Sequence, residues 1–442
     1  MQKHPLLPNP GLAALWMILF FLCPSLQAQE VLKSYWPDST LQSEGKMKEG
    51  REDGMWRYYH PNGKLWSEGK YELGEKCGRW TYYYETATRE QEVDLDQGSF
   101  KRWHPNGQLA EEGKLKEGVR EGRWESWYPD GKLKEVLHYR AGRKNGAITE
   151  YHPTGEKALE GFYVDDSLDG EAKWYYPDGK LEMEGWLRQG LQDSNWVFYH
   201  PTGRIGSTGS FRKGKQHGLW QFFYETGELW REGHYEAGKR SGVWVTWYES
   251  GKKDREGPFQ DDKEHGKWMS WFENGQIRDR GFFAEGEMDQ LWEGWYESGK
   301  REYSIQYEQG IREGKALWWY ENGNKKSEGF FSSGLKQGMW TEWYESGMMK
   351  ERGNYAGGVQ DGRWTFYDSK GILLREQAFR EGKPEGYWAE YYANGRKKAE
   401  GAFNEGRKEG RWTYWDDKGN VLKSEVFKFG RRVPVVEKPN RQ

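Results

Sequence analysis

Four of the nine histidines, His60, His104, His152 and His200, recur at spacings of 44, 48 and 48 residues. Imidazoles repeated in this way could ligate a metal or relay protons. Each holds the same place in a recurring segment, however, and successive ones fall two segments apart. Four strands at the usual spacing separate them by about 19 Å, whereas ligands must lie about 2 Å from a shared ion. They therefore read as aromatic substitutes at a turn position. His217, His234 and His265 have no ligand spacing. Glu68, Glu112, Glu160, Glu184, Glu232, Glu328 and Glu400 form a second column. General acid–base catalysis needs one pair of carboxyls with separated pKa values inside a pocket. A repeated column offers neither, so cross-strand pairing such as Arg57 with Glu68 and Lys101 with Glu112 is the expectation. There is no Gly-x-Ser-x-Gly, P-loop or Cys-x-x-Cys, and the Gly-x-x-x-Gly spacings are turn punctuation. The chain is expected not to be an enzyme and to hold no cofactor or metal.

The elements that carry these residues follow from composition. The chain of 442 residues has 67 Lys+Arg against 70 Asp+Glu, and it is 35% hydrophobic but 17% aromatic. So little aliphatic material excludes a thick layered core. Low hydropathy with 31% charged residues would suit a disordered chain, yet 27 Trp, 28 Tyr and 19 Phe argue for order. The near-balanced charge, with no long basic block, excludes a dedicated nucleic-acid binder.

An internal repeat organises these aromatics. Gly-x-Trp anchors fall at residues 54, 78, 98 and 122, then every 24 residues to 410, with a divergent first unit at Glu30, giving 17 units. Counting each anchor as position zero, position two is usually Trp, as in Trp56, Trp80, Trp124, Trp220, Trp268 and Trp412. Position five is always aromatic, and position nine is usually Gly, as in Gly63, Gly107, Gly131 and Gly275. Two short strand runs joined by a Gly turn make each unit a β-hairpin. Pairing position six with eleven sets Trp at two opposite Gly at fifteen, so that the indole covers bare backbone. Strand alternation then puts positions 2, 6, 11, 15 and 17 on the packed face. The expected fold is all-β: an elongated single-layer antiparallel sheet of about 17 stacked hairpins, twisted and solenoid-like. The 20-residue unit between Gly78 and Gly98 is expected to kink it.

Residues 1–28 read as a signal peptide: Lys3 and His4 precede an apolar run from Leu12 to Cys23, with Ala28 as the cleavage residue. Twelve apolar residues are too few to span a bilayer, which takes about 20. Export to the periplasm, the outer cell surface or the medium is expected. Removing Cys23 leaves Cys77 as a lone thiol, without a disulfide. The repeat array then covers residues 29–430, and residues 431–442 form a non-repeat tail that blunts the sheet edge.

The run from Glu400 through Gly401, Phe403, Gly406 and Gly410 to Trp412 resembles a membrane occupation and recognition nexus (MORN) repeat. More closely it resembles the bacterial variant with Asn-Gly turns found in YwqK-family antitoxins. The resemblance covers residues 30–430. It implies stacked hairpins in one sheet and an interaction role, with proteins or phospholipids as partners and no catalytic motif. From the residues, the strongest binding candidate is the outward column at position five: Phe223, Trp247, Trp271, Trp295, Trp319 and Trp343. It serves either as packing for neighbouring stems or as a stacking strip. An exported, non-catalytic scaffold with a protein partner is the leading expectation. A glycan or phospholipid surface and an antitoxin-type binding role are the alternatives.

Overall fold

The computed structural model describes residues 31–434. The segment read as a signal peptide and residues 435–442 of the tail lie outside the described residues. Every regular element among the described residues is a β-strand, from Val31–Tyr35 to Arg431–Val433. The chain divides after Gly155 into two compact units. In the first, the strands from Val31–Tyr35 to Arg143–Tyr151 pair antiparallel in chain order, each with its successor. In the second, the same order runs from Lys157–Val164 to Arg431–Val433. Each unit is a single open layer of antiparallel strands.

The hairpin of Arg51–Tyr59 and Leu65–Glu72 shows how sequence sets the unit. His60 N donates to Lys64 O at 2.8 Å and Gly63 N to His60 O at 2.9 Å, while Asn62 Oδ1 accepts from Lys64 N at 3.0 Å. The turn needs a left-handed residue, supplied by Gly63 at φ 78°; Ser39 and Ala87 take the same place at 70° and 71°. Trp56 pairs with Gly69 and Arg57 with Glu68, as the repeat predicts. The turn end differs. Position five pairs with eleven (Tyr59 with Leu65), position six closes on ten, and Trp66 at position twelve is the extra residue of a bulge. A register counted back from the turn cannot include that bulge. Position eleven therefore leaves the packed face, and Lys253 there pairs instead with Glu256 at 2.7 Å. Position four takes its place: Tyr58 stacks 6.0 Å from Trp56, and Phe222 lies 5.8 Å from Trp220.

A second correction concerns what the tryptophans cover. Each except Trp388, which faces Gln377, lies over the position-fifteen glycine of the preceding hairpin, not of its own. A Cβ added to Gly257 would sit 2.1 Å from Trp268 Cδ2, and Gly69 stands in the same relation to Trp80 at 2.2 Å. The direction follows from the indole N–H, which needs an acceptor once buried. The carbonyl next to the preceding glycine supplies it: Pro258 O lies 3.2 Å from Trp268 Nε1 and Lys46 O lies 2.9 Å from Trp56 Nε1. Position seventeen closes the stack edge-on, with Phe211 at 5.1 Å and 89° to Trp220. At three of the four junctions where the glycine is replaced, the tryptophan is too; at the fourth, Gln377 faces Trp388. Leu137 faces Ile148, Ile305 faces Ala316 and Val93 faces Phe100. Five of these six, all but Phe100, are buried. At these three junctions one residue fills the space the other leaves, as close-packed interiors require.

The 20-residue unit is accommodated by shortening Arg89–Asp94 and Ser99–Trp103. Asp94 Oδ1 accepts from Asp96 N and Gln97 N to close the tight turn, and the ladder runs through without a break.

Candidate interaction surfaces

Position six lies at the turn end of the packed face, where its ring bonds forward to the next hairpin. His60, His104 and His200 bring Nε2 to within 3.0, 2.9 and 2.9 Å of the carbonyls of Tyr83, Trp127 and Phe223. Tyr128, Tyr224 and Tyr248 donate O–H to the equivalent carbonyls, each at 2.8 Å. His152 holds the same turn position, accepting from Gly155 N at 2.8 Å. Histidine here replaces tyrosine as an N–H donor, and no group of three metal-ligating side chains exists among the described residues. His200→Tyr is expected to leave urea stability unchanged, whereas His200→Phe should cost about 1 kcal/mol for the lost donor.

The glutamate column is also structural. Tyr59, Tyr175 and Tyr199 donate O–H to Glu44, Glu160 and Glu184 of the preceding hairpin at 2.7, 2.5 and 2.7 Å. Burial and then these carboxylates push the three phenols up to about 12. The hydrogen bond from Tyr199 holds Glu184 below the usual carboxylate range. Arg57 reaches Glu68 at 3.3 Å and Lys101 reaches Glu112 at 3.0 Å, as the sequence predicts.

One device was not legible beforehand. The residue just before the anchor caps the far loop of its own hairpin, as when Asp169 accepts from Gln189 N at 2.9 Å and Glu385 from Glu405 N at 2.8 Å. These loop residues carry positive φ, 51° at Gln189 and 48° at Glu405, so a charged acceptor holds an otherwise costly conformation.

On the packed face, Glu342 and Glu351 are cross-strand partners. Lys336 and Lys350 reach Glu342 at 3.8 and 3.5 Å. Burial, then the charge of Glu342, raises the Glu351 carboxyl. A raised folded pKa favours the protonated form, so stability should increase as pH falls from the raised value toward the ordinary 4.5. Glu351→Gln is expected to raise stability at neutral pH and flatten that dependence, which urea titrations at pH 5 and pH 7 would read.

The opposite face carries positions one, three, five, fourteen and sixteen. Phe223, Trp247, Trp271, Trp295, Trp319 and Trp343 all lie on it and are all half-buried. Four of the six carry a cation from the preceding hairpin over one ring face. Lys253 lies 5.7 Å from the Trp271 centroid, Arg280 5.1 Å from Trp295, Arg301 5.5 Å from Trp319 and Lys325 5.5 Å from Trp343. The exposed apolar surface is instead the neighbouring row at positions one and sixteen. Leu219, Val243, Leu291, Phe330 and Met339 are 46%, 57%, 46%, 51% and 47% exposed. Position one is Lys267 and Lys315 within the same stretch, and outside it varies from Arg79, Arg123, Arg363 and Arg411 to the exposed Met55 and Tyr387. Sequence reasoning missed these positions, although strand alternation from position five already places position one on the same face.

Stacked hairpins with repeating side-chain columns define a β repeat protein. Nine segments match the MORN repeat variant: residues 52–72, 96–117, 120–141, 168–185, 216–237, 240–261, 264–285, 312–332 and 336–356. These matches support a MORN repeat protein. Among curated proteins, none matches the sequence. Among solved structures, the complex described as TcdB2-TccC3-Cdc42 aligns at 10% identity over 90% of this chain and 23% of that one, with a TM-score of 0.15. The Photorhabdus luminescens Tc holotoxin pore with the TccC3-D651A mutation aligns at 10% identity over 90% and 24%, with a TM-score of 0.14. The chain spans about a quarter of the length of these proteins.

Proposed function

We propose that the chain is an exported, non-catalytic scaffold that binds a protein partner through the outward face of its central repeats, residues 218–343. One observation carries this reading: in four of these six repeats the first strand position is an exposed Leu, Val or Met, with Lys267 and Lys315 in the other two, beside an unbroken aromatic column. An apolar strip of this kind marks an interaction site on a soluble protein. The cations over the Trp rings are themselves neutralised, Lys253 by Glu256 at 2.7 Å and Arg301 by Glu293 at 2.8 Å. The face therefore combines exposed apolar residues with cations that are for the most part paired, Lys267 and Lys315 excepted, which suits a protein surface better than an anionic headgroup layer. It suits a glycan less, because cations already lie over Trp271, Trp295, Trp319 and Trp343. An antitoxin role would be one instance of protein binding on this same face. Export rests on the apolar run Leu12–Cys23.

The test is affinity capture from envelope extract by the mature chain and by a Val243→Lys/Leu291→Lys/Met339→Lys variant. Proteins retained by the parent and lost from the variant, with unchanged circular dichroism, support the reading. A variant that retains the same proteins at the same yield contradicts it.

A further inference from the structure

We infer that Arg231 and Arg375 form two equivalent sites on the packed face, opposite the proposed docking strip, each binding a carboxylate of an acidic peptide segment. The two residues occupy position thirteen of hairpins six repeats apart. The Arg231 guanidinium lies 4.4 Å from the ring centroids of both Phe222 and Trp230, and Arg375 lies 4.2 Å from Phe366. In both, Nε is buried without a hydrogen-bond partner. Both sites also keep an exposed apolar neighbour at position twelve, Trp230 at 38% and Leu374 at 41%.

Neither arginine makes an ion pair among the described residues: Arg231 stands opposite Thr246, and Glu390, opposite Arg375, is held by Lys398 at 2.9 Å. Among the described residues no carboxylate lies within 4.0 Å of either one, whereas Arg255, at the same position one repeat after Arg231, pairs with Glu264 at 3.7 Å. Glu351, one repeat before Arg375, acts on it only at longer range. A half-buried charge without a counter-ion is costly and is relieved by an incoming one. Stacking on aromatic rings fixes the guanidinium plane and leaves its terminal N–H groups for in-plane, bidentate recognition of a carboxylate. The exposed Trp230 and Leu374 supply an apolar rim for the side chain next to that carboxylate. This chemistry selects Asp or Glu flanked by an apolar residue.

Calorimetry of the full mature chain with acetyl-Phe-Glu-Phe-amide tests the assignment, with acetyl-Phe-Gln-Phe-amide as the neutral control. The Glu peptide is expected to bind in the millimolar range or better with two equivalent sites. Arg231→Lys/Arg375→Lys keeps the charge but loses the planar fork, and should weaken binding about tenfold. Arg255→Lys should change it by less than about twofold. Near-ultraviolet circular dichroism confirms that the stacked rings remain ordered in each variant. Equal binding of the Gln peptide, full binding by the double Lys variant, an equal loss in Arg255→Lys, or no heat from the parent chain at millimolar peptide each overturns the assignment.

Discussion

Gly257→Ile is expected to break the junction between two hairpins, and Trp268→Ala is expected to repair much of that damage. In the parent, the Trp268 ring occupies the place where a Gly257 side chain would begin, 2.1 Å from an added Cβ. The isoleucine must push the ring aside, breaking its bond to Pro258 O and its edge contact with Phe259 at 5.2 Å. Overpacking of this kind costs about 3 kcal/mol. Trp268→Ala alone empties the slot of a ring that is 5% exposed, at about 3–5 kcal/mol. The double variant recreates the pair found at Ile305 and Ala316, which are 6% and 0% exposed. It should lose at least about 2 kcal/mol less than the sum of the singles. Because stability in a repeat array is local, hydrogen exchange over residues 253–271 is the readout. Additive losses would show that the tryptophan and the preceding glycine are not one packing unit.

The second large effect concerns binding. Replacing Trp271, Trp295 and Trp319 together by Ala should weaken partner binding at least tenfold, whereas Trp247→Ala alone should weaken it by no more than about threefold. Linked weak contacts on one surface act at high effective concentration, so affinity falls steeply only when several go. The rings are half-buried beneath Lys253, Arg280 and Arg301. Loss of binding must therefore be compared with near-ultraviolet circular dichroism of the same protein. The Lys substitutions at Val243, Leu291 and Met339 provide the control, because those side chains are exposed and stabilise little. A folded triple Trp variant that binds at full strength would leave the column a purely structural role.

The repeat period, the hairpin, the Gly63 turn and the pairing of Trp56 with Gly69 were legible in the sequence because each depends on local spacing. The bulge at Trp66 was not, since an extra residue in one strand leaves no mark on the 24-residue period. That single residue moved position eleven off the packed face and hid position four, where Tyr58 and Phe222 complete the aromatic stack. Nor does the sequence state which glycine a tryptophan covers, because both neighbours lie in reach and only the bond to the preceding hairpin's carbonyl decides it. Once that partner is known, the paired substitutions at Leu137 with Ile148 and Ile305 with Ala316 become readable. The histidines resolve in the same way: His104 and Tyr128 differ chemically but send a donor to equivalent carbonyls.

Docking through the outward face of the central repeats is tested most directly by site-specific photocrosslinking. A benzophenone side chain would be placed at position one of five repeats: Val243, Leu291 and Met339 in the central set, and Arg123 and Arg411 outside it. All five share the same place in the hairpin, so only the choice of repeat distinguishes them. Irradiation in envelope extract is expected to yield one common crosslinked protein from residues 243, 291 and 339 and none of it from 123 or 411. Crosslinks of equal yield at all five positions, or only at 123 and 411, would contradict a docking face in the central repeats.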